Sequence, residues 1–261
     1  MTARSLALPA SLLALLALVP AAGASHRATP AAPVTATATA PWIVLGSSVG
    51  IKGTVSPHPA GTRVTLQKAG SGSWVRVATA GVSAGGGYSF TVKPGASGTA
   101  TFRVTTTGGS SASVPVPVLR WSYLGDVYAH PTVGDLNTET MDVNGASDEH
   151  PVALDAGCYN GYYGDAWVDY PLAKKYETLT ATMGLGGYVE TGSTGSYEVI
   201  GAGKTLASGK LVPGASKKIS VSLAGLASVR LKINVPDPND AGGCGLSYTE
   251  VVFGNAQVLG P

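Results

Sequence analysis

Between Gly157 and Trp167 the chain sets Tyr159, Tyr162, Tyr163 and Trp167 among glycines, next to Cys158, one of only two cysteines. The other, Cys244, ends a second loop that carries Asp237, Asn239 and Asp240. Glycines leave few neighbours to bury such rings. A flat aromatic face stacks on the C–H face of a pyranose, while carboxylates and amides fix its hydroxyls. Asn160 and Asp165 in the first loop, with Asp237, Asn239 and Asp240 in the second, are the candidate polar partners. A Cys158–Cys244 disulfide would staple the two loops together. It would close a loop of about 86 residues, worth roughly 4 kcal/mol in the chain-entropy model. Two free thiols are the alternative. Trp167 also has two readings, a ring of the site or, like Tyr170, a core residue of a strand.

Other constellations also carry residue types capable of chemistry. Asp165, Asp169, Asp237 and Asp240 could meet across the disulfide as a glycosidase pair, which requires two facing carboxyl groups at a defined separation. Acids in a binding loop more often accept sugar hydroxyls, so no catalytic residue is assigned. Asp135, Glu139, Asp142, Asn144, Asp148 and Glu149 form an oxygen-rich cluster. Such a cluster suits calcium, although the spacing fits no EF-hand. A solvated acidic loop is the preferred reading, with a structural calcium as its alternative and no cofactor otherwise. The four histidines are scattered, which argues against zinc. Gly46 to Gly50 has the spacing of a nucleophile elbow, but no acid stands near it to hold a histidine. Gly201-Ala202-Gly203-Lys204-Thr205 resembles the tail of a phosphate loop. It lacks the first glycine, since Glu198 occupies that position, and reads better as a turn between strands.

The elements that must position these residues are strands. Only 12% of the 261 residues are charged, and Gly numbers 36 and Pro 17, a composition of short strands and turns. Residues 1–24 read as a signal peptide, with Arg4, an apolar stretch from Leu6 to Val19, and Ala22-Gly23-Ala24 as the cleavage site. No other stretch approaches membrane-spanning length. The expected location is secreted and extracellular, with association to the cell envelope left open. Export would permit the disulfide. Residues 25–41, rich in Ala, Thr and Pro, read as an extended spacer.

Residues 42–118 alternate like a small antiparallel sandwich. Val64 and Leu66, then Tyr88, Phe90 and Val92, then Phe102 and Val104 fall on one face. Gly108 to Pro117 reads as a linker. Residues 119–261 give further strands, among them 166–170, 177–183, 196–200, 219–223, 229–235 and 248–258, so a second sandwich is expected. The charge is divided between the halves. Ser25 to Arg120 holds eight bases and no acid, whereas Trp121 onward holds eight bases and fifteen acids.

Residues 42–118 resemble the immunoglobulin-like modules of exported bacterial proteins. In the second half, Trp121-Ser122-Tyr123-Leu124-Gly125-Asp126 is similar to the opening of the bacterial carbohydrate-binding module family known as NPCBM. In order after it come Asn144-Gly145, the run Tyr170 to Leu185, Tyr197 to Leu206, Leu223 to Leu231, and Phe253 to Val258. The resemblance implies a galactose-binding-like jelly roll that recognises glycans. The sequence departs from the family at Tyr162 to Ala166, where a histidine is often found, and no catalytic domain accompanies it. The expected protein is therefore an all-β, two-sandwich, secreted and non-catalytic binder of glycan or cell-envelope polysaccharide. No nucleic-acid partner is expected, and no transmembrane segment after signal removal. A cell-surface protein-interaction module is the rival reading and a glycoside hydrolase the third. A secondary expectation is that Lys52, Arg63, Lys68, Arg76, Lys93 and Arg103 contact anionic envelope polymers.

Overall fold

The computed structural model describes residues 33–58, 61–127, 129–156, 164–189, 192–236 and 248–261. Residues 1–32, which hold the stretch expected to be a signal peptide and the first part of the expected spacer, lie outside the described residues. The first nine strands are β1 (Thr37–Ala38), β2 (Ile43–Val44), β3 (Val49–Thr54), β4 (Arg63–Ala69), β5 (Trp74–Gly81), β6 (Gly87–Val92), β7 (Gly98–Thr106), β8 (Gly109–Ser110) and β9 (Val114–Tyr123). Twelve more follow: β10 (His130–Val133), β11 (Asp135–Asn137), β12 (Met141–Val143), β13 (Ala146–Asp148), β14 (Val152–Asp155), β15 (Asp165–Pro171), β16 (Thr178–Tyr188), β17 (Gly195–Gly201), β18 (Lys204–Leu211), β19 (Lys217–Ser222), β20 (Ser228–Asn234) and β21 (Tyr248–Gly260). Among the described residues one 3-10 turn, Leu124–Asp126, is the only helical element. Among the described residues no helix is long and apolar enough to cross a membrane.

Two hydrophobic cores organise these strands. The first lies between the sheet β1-β3-β6 and the sheet β9-β7-β4-β5. Period-two alternation builds it. Val64, Leu66, Tyr88, Phe90, Phe102 and Val104 are buried, while Thr65, Ser89 and Arg103 face outward. The second core lies between the sheet β10-β15-β20-β17-β18 and a sheet centred on β16 and β21. Ala166, Val168 and Tyr170 fill it from β15, Tyr197 and Val199 from β17, and Val229, Leu231 and Ile233 from β20. Sequence alternation placed these strands correctly.

Two segments differ from the sequence expectation. Residues 33–41 were read as detached spacer, yet Val34 is buried and bridges Val55, and Thr37–Ala38 pairs with Ile51–Lys52. The Thr-Ala alternation has a strand's period, and Ala36, Ala38 and Ala40 pack on the first core. Small side chains hid that pattern. Residues 108–117 were read as a linker. Instead Gly109–Ser110 pairs with β7, and β9 begins at Val114. Val114, Val116 and Val118 are buried, alternating with Pro115 and Pro117. Proline cannot donate, so the ladder from β9 to β7 draws its β9 N–H groups from the valines.

Strand β9 belongs to both sandwiches. Its first half pairs with β7, and Arg120 to Tyr123 pair with Gly260 to Gln257 of β21. One continuous strand thus enters both hydrogen-bonded ladders. Residues 32–261 form one compact unit.

Candidate functional site

The site is best built from β15 and β20, which pair antiparallel from Asp165↔Asn234 to Pro171↔Ser228. The residues facing away from the core are Asp165, Trp167 and Asp169 on β15, and Arg230, Lys232 and Asn234 on β20. Their partners on the same strands are buried. Trp167 is therefore not a core residue, and Tyr170 is. The ring of Trp167 is half-buried on the outer face, with the Arg230 guanidinium 5.2 Å from its centroid.

Cross-strand ion pairs tie this face together. Arg230 donates through Nε and Nη2 to the two carboxylate oxygens of Asp169, at 2.8 and 2.7 Å. That hydrogen bonding holds the guanidinium above the usual arginine range. Lys232 Nζ lies 2.6 Å from Asp165 Oδ2, and Asn234 Nδ2 donates to Asp165 Oδ1 at 3.1 Å. Asp165, Ser196, Glu198, Lys210, Lys232 and Asn234 surround a shallow open depression of about 400 Å3. Gly209, opposite Tyr197 on the core face, leaves room for that buried ring, since a Cβ there would come within 2.9 Å of it.

The described end of β15 lies at the root of the first aromatic loop. Gly164 precedes Asp165, and its carbonyl accepts the Val235 N–H at 3.4 Å, just before the second loop leaves β20. The other roots also meet. Leu154 of β14 pairs with Val251 of β21, so the exit of β14 into the first loop lies beside the entry of the second loop into β21. The described residues that flank 157–163 and 237–247 thus lie beside one another, Gly164 next to Val235 and the end of β14 next to the start of β21. Tyr159, Asn160, Tyr162, Tyr163, Asp237, Asn239 and Asp240 lie outside the described residues, as do Cys158 and Cys244. Of the sequence-predicted site, the structure brings Asp165 and Trp167 onto one face.

Sequence reasoning missed Arg230, Lys232 and Asn234. The signal was present in Val229 to Val235, where alternation sends these three polar residues to one side. They lie on a strand and not in the loops where the sequence concentrates its rings and acids.

Asp165 and Asp169 do not make a hydrolytic pair. Four residues apart on one strand, they stand about 13 Å apart along it, beyond the span a glycosidase uses. Each is also held by a cation. The oxygen-rich cluster after Asp135 does not converge either. Asp148 accepts the backbone N–H of His150, Asn144 donates to the Ala215 carbonyl, and Asn137 accepts the N–H of Glu139. Asn144 and Gly145, both at positive φ, form the two-residue turn between β12 and β13. Among the described residues no group of three His, Cys, Asp or Glu side chains is arranged to hold a metal. Ala202 and Gly203 are likewise a tight turn, joining β17 to β18.

Residues 130–258 match the model of the NPCBM/NEW2 domain family. The match lies within residues 119–261, the half that resembles this family in sequence, and begins after the opening motif Trp121 to Asp126. No curated protein matches the chain. Among solved structures, the CBM51-2 and INT domains of Clostridium perfringens ZmpB, in complex with GlcNAc, are 15% identical with a TM-score of 0.42. That match covers 63% of this chain and 38% of the other. The CBM51 of Clostridium perfringens GH95, in complex with methyl-galactose, is 20% identical with a TM-score of 0.38, covering 53% of this chain and 99% of that one. The chain thus spans well under half the length of the first of these structures.

Proposed function

We propose that residues 119–261 form a non-catalytic carbohydrate-binding module, and that glycan is taken at the end of this sandwich where segments 157–163 and 237–247 are rooted. Two findings support the reading. The first is the family match over residues 130–258. The second, which carries the location of the site, is the shared rooting of the two segments beside Asp165 and Trp167. Trp167 supplies an apolar ring on a solvent-facing sheet, and Asp165, Lys232 and Asn234 supply hydrogen-bonding groups around it. Tyr159, Tyr162 and Tyr163 would add rings, and Asn160, Asp237, Asn239 and Asp240 polar groups. A Cys158–Cys244 bridge would fix the two segments against each other. In this reading the protein is exported and works outside the cell on glycan or envelope polysaccharide. Residues 42–118, an immunoglobulin-like module, hold the binding module in place.

A glycan array probed with the full chain tests this. Binding to a defined saccharide class, lost in Trp167→Ala, is expected. An empty array together with capture of a specific surface protein would favour the protein-interaction reading. Turnover of a glycoside would favour hydrolysis.

A further inference from the structure

The outer face of the first sandwich carries a feature that glycan binding by the second sandwich does not use. Gln67 on β4 is paired with Arg76 of β5 on one side and Arg103 of β7 on the other. The three form one cross-strand row, with the two arginine Cα atoms about 10 Å apart. The Arg103 guanidinium lies 4.3 Å from the centroid of the Trp74 ring, and its Nε–H is donated to Gln67 Oε1 at 2.8 Å. Arg63, next to buried Val64 at the start of β4, projects from the same face.

Residues 33–118 contain no Asp or Glu, so no acid of the first sandwich neutralises these cations. A guanidinium stacked on an aromatic ring and bonded at Nε is already oriented. It offers its outer N–H groups as a fork for a carboxylate with little further ordering. Strand β5 is the edge of its sheet, so the row is open on that side.

We propose that this face, centred on Arg76, Gln67 and Arg103, binds an acidic polysaccharide, with the arginines taking its carboxylates and Gln67 its hydroxyls. Repeating charge on the polymer complements a sheet face with cations on several strands and no acid. Nucleic acid fits less well. Trp74, the ring beside this row, is already covered by Arg103 and is not free to stack on bases. The site is independent of the one at Trp167. The two together would let one chain hold a charged polymer and a separate glycan.

The test is retention of the full chain on immobilised polygalacturonate, with dextran and single-stranded DNA as comparison matrices, over a sodium chloride series. The expected result is salt-sensitive retention on polygalacturonate that exceeds retention on DNA. Arg76→Gln with Arg103→Gln should weaken it by at least about tenfold and flatten the salt dependence. Lys52 on β3 and Lys93 just after β6 belong to the opposite sheet, so the structure removes these two lysines from the set of contacts expected from the sequence. Lys52→Gln with Lys93→Gln takes equal charge from these exposed positions and should cost less than about threefold. Should loss of the Trp74 stack unfold the first variant, Arg63→Gln with Arg76→Gln replaces it. Equal loss in the row and control variants would overturn the proposal, since net charge alone would then explain retention. No retention on polygalacturonate, tighter retention on DNA, or retention that tracks salt-sensitive self-association by light scattering would also overturn it.

Discussion

Asp165 and Asn234 face each other on the last rung of the β15–β20 ladder, with the Asn234 amide donating to the Asp165 carboxylate at 3.1 Å. One step further, the Val235 N–H reaches the Gly164 carbonyl. Beyond these residues lie the two segments that hold Cys158 and Cys244.

This rooting makes a testable demand on the cysteines. The protein isolated under oxidising conditions should show no titratable thiol, and a peptide map should link Cys158 to Cys244. Cys158→Ser with Cys244→Ser should lower unfolding free energy by up to roughly 4 kcal/mol, with native-state strain reducing that figure. Denaturant titration of the two forms measures it. Two free thiols in the folded protein would remove the staple from the account.

Buried tyrosines should respond to hydroxyl removal in opposite ways. Tyr170 and Tyr197 lie in the second core with hydroxyls that have no hydrogen-bond partner among the described residues. Tyr170→Phe should be neutral or stabilising by on the order of 1 kcal/mol, because an unsatisfied buried hydroxyl is costly. The Tyr88 hydroxyl instead donates to the Thr35 carbonyl, so Tyr88→Phe should cost about 1 kcal/mol at neutral pH. Burial pushes the Tyr88 phenol up to about 12. Its raised folded value means the native state keeps a proton that the unfolded chain has lost. Its contribution is complete below about pH 10, the ordinary tyrosine value, and is lost as pH rises toward the folded value. Denaturation midpoints measured across that window should fall less steeply in Tyr88→Phe.

Glu250 on β21 presents the acidic counterpart. Burial, then the charge of Asp155, raise its carboxyl above the usual glutamate range, opposed by a hydrogen bond from Asn137. A carboxyl raised on folding contributes stability only while protonated, so the ionised form works against folding at neutral pH. Glu250→Gln should therefore stabilise the protein at pH 7. The gain should vanish as pH falls below the ordinary glutamate range. Thermal melts at the two pH values check both halves.

The all-β class and most of the core were legible because Val, Leu and Tyr alternate with Thr and Ser at a strand's period. Tyr170 and Trp167 show the limit of that reading. They are three residues apart on one strand, so they must face opposite sides, and the apolar residues between and around them decide which side is inside. Ala166, Val168 and Tyr170 share a face, which sends Trp167 outward. Residues 33–41 escaped notice because alanine is a weak apolar signal, and 109–117 because glycine and proline suggested a linker. The face at Arg230, Lys232 and Asn234 was readable in the strand pattern, but its ion pairs depend on the register between β15 and β20. Register is set by the whole sheet and not by either strand alone.

The most direct test of the account is calorimetric titration of the best array saccharide into the wild-type chain, Trp167→Ala, and the Cys158→Ser, Cys244→Ser variant. Loss of a stacking ring should weaken binding by about tenfold or more. Releasing the staple should weaken it through the cost of ordering two free segments, with stoichiometry unchanged. Saccharide binding undiminished in both variants would place the glycan elsewhere on the protein and contradict the site described at Asp165 and Trp167.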